Sequence, residues 1–116
     1  MGESVDSDGN VRVYPNQKPE LIAPGVDILS TGMDNLWYTS SGTSDATVFV
    51  AGALALILEA HPELKPNGQS TTGCIELVKR ALVDSMNSDS QHDSKQGYGQ
   101  LKASAWLSQI PDEITC

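Results

Sequence analysis

Basic residues are scarce in this sequence. Its 116 residues hold 7 Lys+Arg against 15 Asp+Glu, a formal net charge of −8. A nucleic-acid binder needs Lys and Arg to neutralise phosphates, so the balance argues against nucleic acid as a partner. The same sign argues against docking on an anionic membrane. No apolar run reaches the ~20 residues that a bilayer span needs. The start, Met1-Gly2-Glu3-Ser4-Val5-Asp6, lacks the basic residues and apolar stretch of a secretory signal, which leaves the compartment open. Cysteine is limited to Cys74 and Cys116, too few for a disulfide scaffold. Whether the two pair or stay free is open, and two alone give no zinc spacing. Histidine is limited to His61 and His92. At 39% apolar and 19% charged, the chain lies in the globular range, with length for one domain at most.

Residues 1–18 read as a polar, turn-rich lead-in, in which Val11-Arg12-Val13-Tyr14 suits a short strand. Asp6, Asp8 and Asn10 stand at alternate positions around Gly9, a spacing that superficially suits Ca²⁺. The later ligands and closing Glu of a calcium loop are missing, so a polar turn is the better reading and no metal site is assigned. Glu20-Leu21-Ile22-Ala23 reads as a buried strand that Pro24-Gly25 turns. Val26–Ser30 and Leu36–Ser40 read as a hairpin-like pair, with Trp37 and Tyr38 as packing residues. From Val48 to Leu58 every residue is apolar or Gly. That run is too long for a typical strand and shows no polar face, so it predicts a buried helix covered on all sides. Pro62 ends it. After a polar loop over 65–73, Ile75, Leu77, Val78, Ala81 and Leu82 fall on one face of an amphipathic helix, which Cys74 opens as a structural thiol. A second polar loop spans 84–97. Leu101, Ala105, Trp106 and Ile110 pattern a final short helix.

Directly before the apolar run stands Gly42-Thr43-Ser44-Asp45-Ala46-Thr47-Val48-Phe49-Val50-Ala51-Gly52. This resembles the nucleophile segment of the subtilisin-like serine proteases, the subtilases, which read Gly-Thr-Ser-x-Ala-[Ser/Thr]-Pro-His-Val-Ala-Gly there. The resemblance extends back through Leu21–Thr31, which includes Ala23-Pro24-Gly25. It extends forward through Ala53–Leu58 and His61-Pro62 to Gly97-Tyr98-Gly99-Gln100-Leu101, which is similar to the family's last turn before its final helix. With that helix, the family-like region is taken as residues 19–110. The resemblance implies that Ser44 is the catalytic nucleophile and that Gly42 and Thr43 lie where the oxyanion and the substrate backbone approach. It also implies an α/β fold, part of a three-layer αβα sandwich, with few strands, a central buried helix and two further helices. A peptide or protein would be the substrate of the complete domain. No cofactor is implied; the family often binds structural calcium, but no ligand set is identifiable here.

A Ser in the first turn of a helix sits beside unpaired N–H groups and the positive end of the dipole, which suits an oxyanion. For a lone Ser in that place, a helix N-cap is the competing reading. The hydroxyl is also a weak nucleophile without a base. The family's Asp and His precede the Ser, and the 43 residues before Ser44 hold no His. His61 lies 17 residues further on, about 25 Å along the helix, and reads as a C-terminal cap or surface residue. His92 reads as a solvated loop residue. The family's Pro-His pair is Val48-Phe49 here, and Asp45 follows the nucleophile with a charge that favours the helix end but opposes an oxyanion. The expectation is thus the C-terminal portion of a subtilase-like catalytic domain, inactive alone, which needs the missing N-terminal part. The alternative is a non-catalytic module that binds another chain or a second copy of itself.

Overall fold

A computed structural model describes residues 5–65, 72–86, 91–114 and 116. Strand β1 (Ile28–Thr31) pairs antiparallel with β2 (Trp37–Ser40), Ile28 opposite Ser40 and Thr31 opposite Trp37. The turn between them places Asp34 and Asn35 at φ 58° and 61°, which short polar side chains tolerate better than most. Both strands are slightly shifted from Val26–Ser30 and Leu36–Ser40. Trp37 is 67% exposed and Tyr38 46%, so these aromatics are not buried as expected; the Tyr38 ring lies against Gly32 of the turn. Val11 forms only an isolated bridge to Val5, and Ile22 one to Gln100, in place of regular strands.

Helix α1 runs Thr43–Ala60 and stops before Pro62, where the N–H of His61 closes on the Ile57 carbonyl at 2.9 Å. Here the structure departs from the expected buried helix. Only Ala53 and Ile57 are buried, while Val48 and Leu56 are each 63% exposed and Phe49 42%. The contacts form one stripe, Val50, Ala53, Leu54, Ile57 and Leu58, at the i, i+3, i+4 spacing of a single helix face. A helix apolar all round buries only the face that other chain segments reach, and the described residues reach one. By length and composition α1 is also long enough to cross a membrane, although that one face is packed into a core.

Helix α2 (Thr72–Met86) and α3 (Ala103–Gln109) pack against each other as their patterns predict. Trp106 is buried on this contact and its Nε1 donates to the Val78 carbonyl at 3.1 Å. Ile57, Leu64, Val83, Tyr98 and Ile110 complete the core. Of the polar loop over 65–73, residues 66–71 lie outside the described ones, and Thr72-Gly73 are helical. Of that over 84–97, residues 87–90 lie outside, and 84–86 close α2. Cys74 and Cys116 are joined in a disulfide with a Cα–Cα distance of 4.9 Å, fastening the chain's last residue to the start of α2. Cys74 is therefore not a thiol. His92 is not solvated either: its Nε2 lies 2.9 Å from the Pro19 carbonyl, and its ring meets Tyr98 edge-on. The described residues thus make three helices and a two-stranded sheet, the partial α/β arrangement that the resemblance implies.

Candidate active site

Gly42 is the N-cap of α1, so Thr43, Ser44 and Asp45 fill its first turn. Helix geometry leaves their N–H groups without intrahelical acceptors, and no side chain caps them. Ser44 is therefore not the N-cap. It is exposed, one residue further in, at the positive end of an 18-residue helix. Four contacts fix this end. The Gly42 N–H donates to the Gly25 carbonyl at 2.7 Å. The Asp27 N–H donates to Ser41 Oγ at 2.9 Å. Ser40 Oγ donates to Asp45 Oδ1 at 2.7 Å, and Thr47 Oγ1 to the Thr43 carbonyl at 2.8 Å.

These contacts explain the residue types around Ser44. A Cβ on Gly25 would stand 2.8 Å from the Gly42 carbonyl oxygen, so the turn after Pro24 admits no side chain. Asp45 is oriented by Ser40 as well as placed favourably for the dipole. Asp27, Ser40 and Ser41 are positioning residues that sequence reasoning missed. Their spacing has no periodicity; Asp27 lies inside the Leu21–Thr31 block and Ser40-Ser41 directly before Gly42, and neither place marks these contacts.

The third block joins the other two. Gly97 has φ 63°, and a Cβ there would lie 2.5 Å from backbone atoms of Glu20. That close approach lets the Tyr98 N–H donate to the Glu20 carbonyl at 2.8 Å and the Ile22 N–H to the Gly99 carbonyl at 3.0 Å. Ala23-Pro24-Gly25, Gly42-Thr43-Ser44 and Gly97-Tyr98-Gly99, far apart in sequence, therefore form one continuous hydrogen-bonded support. Glu20 within it accepts from Lys18 at 2.5 Å and from Lys79 at 2.7 Å. Burial pushes its carboxyl up, but these two cations outweigh burial and hold it below the usual range.

The arrangement offers backbone N–H donors and an exposed hydroxyl, and both described imidazoles are engaged elsewhere. His61 lies at the far end of α1, 3.3 Å from Glu63, and His92 is tied to Pro19. Asp6, one of the three spaced residues considered for calcium, turns its Oδ1 onto the N–H groups of Asp8 and Asn10, each at 2.9 Å. The bond from Asn10 above all lowers its pKa. Behind Ser44 an apolar groove of about 680 Å³ follows α1, lined by Leu21, Ala23, Val50, Leu54, Val78 and Trp106 among others.

In sequence and fold the chain is similar to known proteases. The chain is 39% identical to the serine protease AprX of Bacillus subtilis over 47% of its own length and 16% of that protein. It is 34% identical to the subtilisin-like protease SBT1.6 of Arabidopsis thaliana over 72% of its length and 13% of that protein. It is 31% identical to C5a peptidase of Streptococcus pyogenes over 92% of its length and about a tenth of that protein. The chain thus spans a small fraction of the curated relatives it matches. Among solved structures, the prenylagaramide maturation protease PagA superposes with a TM-score of 0.59 at 28% identity, over 96% of this chain and 40% of that one. The profile of the subtilase family matches residues 4–99, a span that contains all three blocks supporting Ser44, and the chain belongs to that family.

Proposed function

We propose that residues 1–116 are the C-terminal, nucleophile-bearing portion of a subtilase catalytic domain. In the complete domain Ser44 attacks the carbonyl of a peptide bond, and the N–H groups at the start of α1 receive the developing oxyanion, with Gly42 and Thr43 beside the substrate backbone. The observation that carries this reading is the state of Ser44: exposed, in the first turn, beside uncapped N–H groups and held by contacts that do not consume its hydroxyl. The substrate is a peptide or protein, as the relatives' names indicate for them. The base and its orienting carboxylate come from outside this chain. Alone, the chain is inactive, because a Ser hydroxyl without a base is a weak nucleophile.

The test is hydrolysis of an activated peptide ester by the purified chain. No turnover above the uncatalysed rate is expected. Turnover that Ser44→Ala abolishes would overturn the proposal of inactivity. Coding sequence that places an Asp-Thr-Gly-like and a His-Gly-Thr-like segment upstream would support the complete domain.

One observation favours a second reading, a non-catalytic module that binds another chain. Val48, Phe49 and Leu56 leave one face of α1 open, an exposed apolar surface of the kind that marks interaction sites. Val48-Phe49 also replaces the family's Pro-His pair. The module reading expects no Asp-Thr-Gly-like or His-Gly-Thr-like segment in the same gene.

A further inference from the structure

The chain has 7 Lys+Arg, and three of them meet in one place. Arg12 and Lys18 of the lead-in and Lys79 of α2 line a second cavity, of about 450 Å³, which shares only Lys79 with the lining of the apolar groove. All three residues are half-buried. Lys18 and Lys79 donate to the same oxygen of Glu20, Oε2, at 2.5 and 2.7 Å. An ammonium has three donors, so each keeps two for another acceptor. Among the described residues the Arg12 guanidinium forms no ion pair or hydrogen bond. Asp6 lies on the same wall, but its carboxylate is committed to the N–H groups of Asp8 and Asn10 and acts on Arg12 only as a charge at longer range.

The three cations face two carboxylates, Asp6 and Glu20, so the cavity keeps one positive charge in excess while the chain as a whole carries −8. A half-buried cation without a partner is unfavourable, and a bound anion relieves it. A guanidinium fork matches the two oxygens of a carboxylate. The rest of the lining is of a different kind. Val11 and Val13 border the same cavity and are 73% and 66% exposed. Charge and valines together select one type of occupant, a charged head on an apolar body. Inorganic phosphate meets the first demand and not the second; a neutral apolar molecule meets the second and not the first. One excess charge matches a monoanion, and the volume lies within the range of small-molecule sites.

We infer that this cavity binds a monocarboxylate that carries a branched apolar group. The carboxylate pairs with the Arg12 fork and accepts from the remaining N–H groups of Lys18 and Lys79, and the apolar group rests on Val11 and Val13. A small free acid and the C-terminal residue of a peptide share this chemistry. The cavity has no residue in common with the Ser44 turn, and the inference does not draw on the catalytic reading.

The test titrates the full 116-residue chain, labelled with ¹⁵N and ¹³C, at low salt. Nuclear magnetic resonance follows the Arg12 side-chain N–H and the methyl groups of Val11 and Val13. N-acetylleucine should shift both sets saturably. N-acetylleucinamide keeps the body without the charge, and acetate keeps the charge with little body; each should bind at least about tenfold more weakly, as should inorganic phosphate. Arg12→Gln should weaken N-acetylleucine at least about tenfold. Val11→Ser combined with Val13→Ser should lower its affinity to that of acetate. Lys102→Gln removes a charge outside the cavity and should leave the affinity within about twofold. Circular dichroism checks the fold of each variant, and the ligand series on the unaltered chain decides the matter where a variant unfolds. Tighter binding of 4-methylpentanoate than of acetyl-Ala-Ala-Leu would assign the site to a free acid, and the reverse order to a peptide end; both uphold a carboxylate site. Equal binding of the amide would overturn the inference, as would phosphate binding as tightly as N-acetylleucine. A folded Arg12→Gln chain with full affinity would overturn it too, and so would the lack of any saturable shift up to about 50 mM ligand. Hydrolysis of a peptide ester by the chain alone would instead strike the function proposed above and leave this cavity untouched.

Discussion

The α2–α3 half of the molecule is less apolar in sequence than the α1–hairpin half, yet it buries more of its apolar side chains. Trp106, Val83 and Tyr98 are each at most 2% exposed, whereas Val48, Leu56 and Trp37 are all above 60%. The amphipathic α2 has a polar face for water and an apolar face for α3, so two short helices satisfy each other. The all-apolar α1 needs cover on every side and receives it on one. The contrast separates a part whose apolar pattern is covered within the described residues from a part whose apolar pattern is left largely open.

The sharpest way to break this comparison is to empty matching sites in each half. Trp106→Ala removes the largest buried side chain and its indole bond to the Val78 carbonyl, and should cost about 3–5 kcal/mol. Phe49→Ala on the open face of α1 should stay within about 0.5 kcal/mol. Urea denaturation of both variants measures the difference. Comparable losses would show that α1 is covered in solution and would erase the distinction. Reducing the Cys74–Cys116 bond acts on the packed half only. It reopens a loop closed over a separation of 42 residues, for an expected loss of about 2–4 kcal/mol. Amide exchange should then rise first in α2 and α3, and a uniform rise across α1 would contradict the division.

A smaller effect tests the support between the halves. Glu20 lies on the strand that reaches the Ser44 turn, and Lys18 and Lys79 hold its folded pKa below the ordinary 4.5. A group whose folded pKa is depressed stabilises the fold above its unfolded pKa, and that contribution is lost as pH falls through the folded value. Stability should thus decline on acidification below about pH 4.5. Glu20→Gln should remove this part of the acid limb at a cost of about 1 kcal/mol at neutral pH. Thermal unfolding of both proteins between pH 7 and pH 3, read as a difference, supplies the measurement. Parallel curves would show that Glu20 plays no such part.

The two halves were not equally legible in the sequence. The end of α1 followed from Pro62 after the apolar run and α2 from the spacing of Val78, Ala81 and Leu82, whereas the cap of α1 is Gly42 and not the Ser44 that a lone serine would suggest. The exposure of α1 was not legible, because composition states that a helix seeks cover and not whether cover arrives. Strand pairing was only half legible. The apolar run Glu20–Ala23 was visible, but its partner is the Gly97–Leu101 turn some 78 residues away, which no local pattern announces. His92 read as solvated because its loop is polar, yet the same loop folds its ring onto Tyr98. Disulfide pairing depends on where the chain's last residue returns in space, and two cysteines carry no spacing rule. At the candidate site Ser44, Gly42 and Thr43 could be named from the motif. The clamp of Asp27, Ser40 and Ser41 could not, since hydrogen bonds between neighbouring turns leave no periodic trace.

The smallest expected effect decides between two readings of Ser44 itself. A Ser that caps a helix contributes about 1 kcal/mol, and its replacement by Ala loses that. In this structure the cap position belongs to Gly42, and Ser44 makes no capping bond. It is exposed, and Ala is the better helix former in the first turn. Ser44→Ala should therefore change stability by less than about 0.5 kcal/mol. Ser40→Ala, which frees the Asp45 carboxylate from its one hydroxyl donor, should cost slightly more, on the order of 0.5–1 kcal/mol. Paired urea titrations would resolve the order of the two variants. A loss of 1 kcal/mol or more at Ser44 would return it to a structural role and weaken its assignment as nucleophile. A neutral substitution would mean that helix stability does not explain a serine at this position, as the proposed nucleophile role expects.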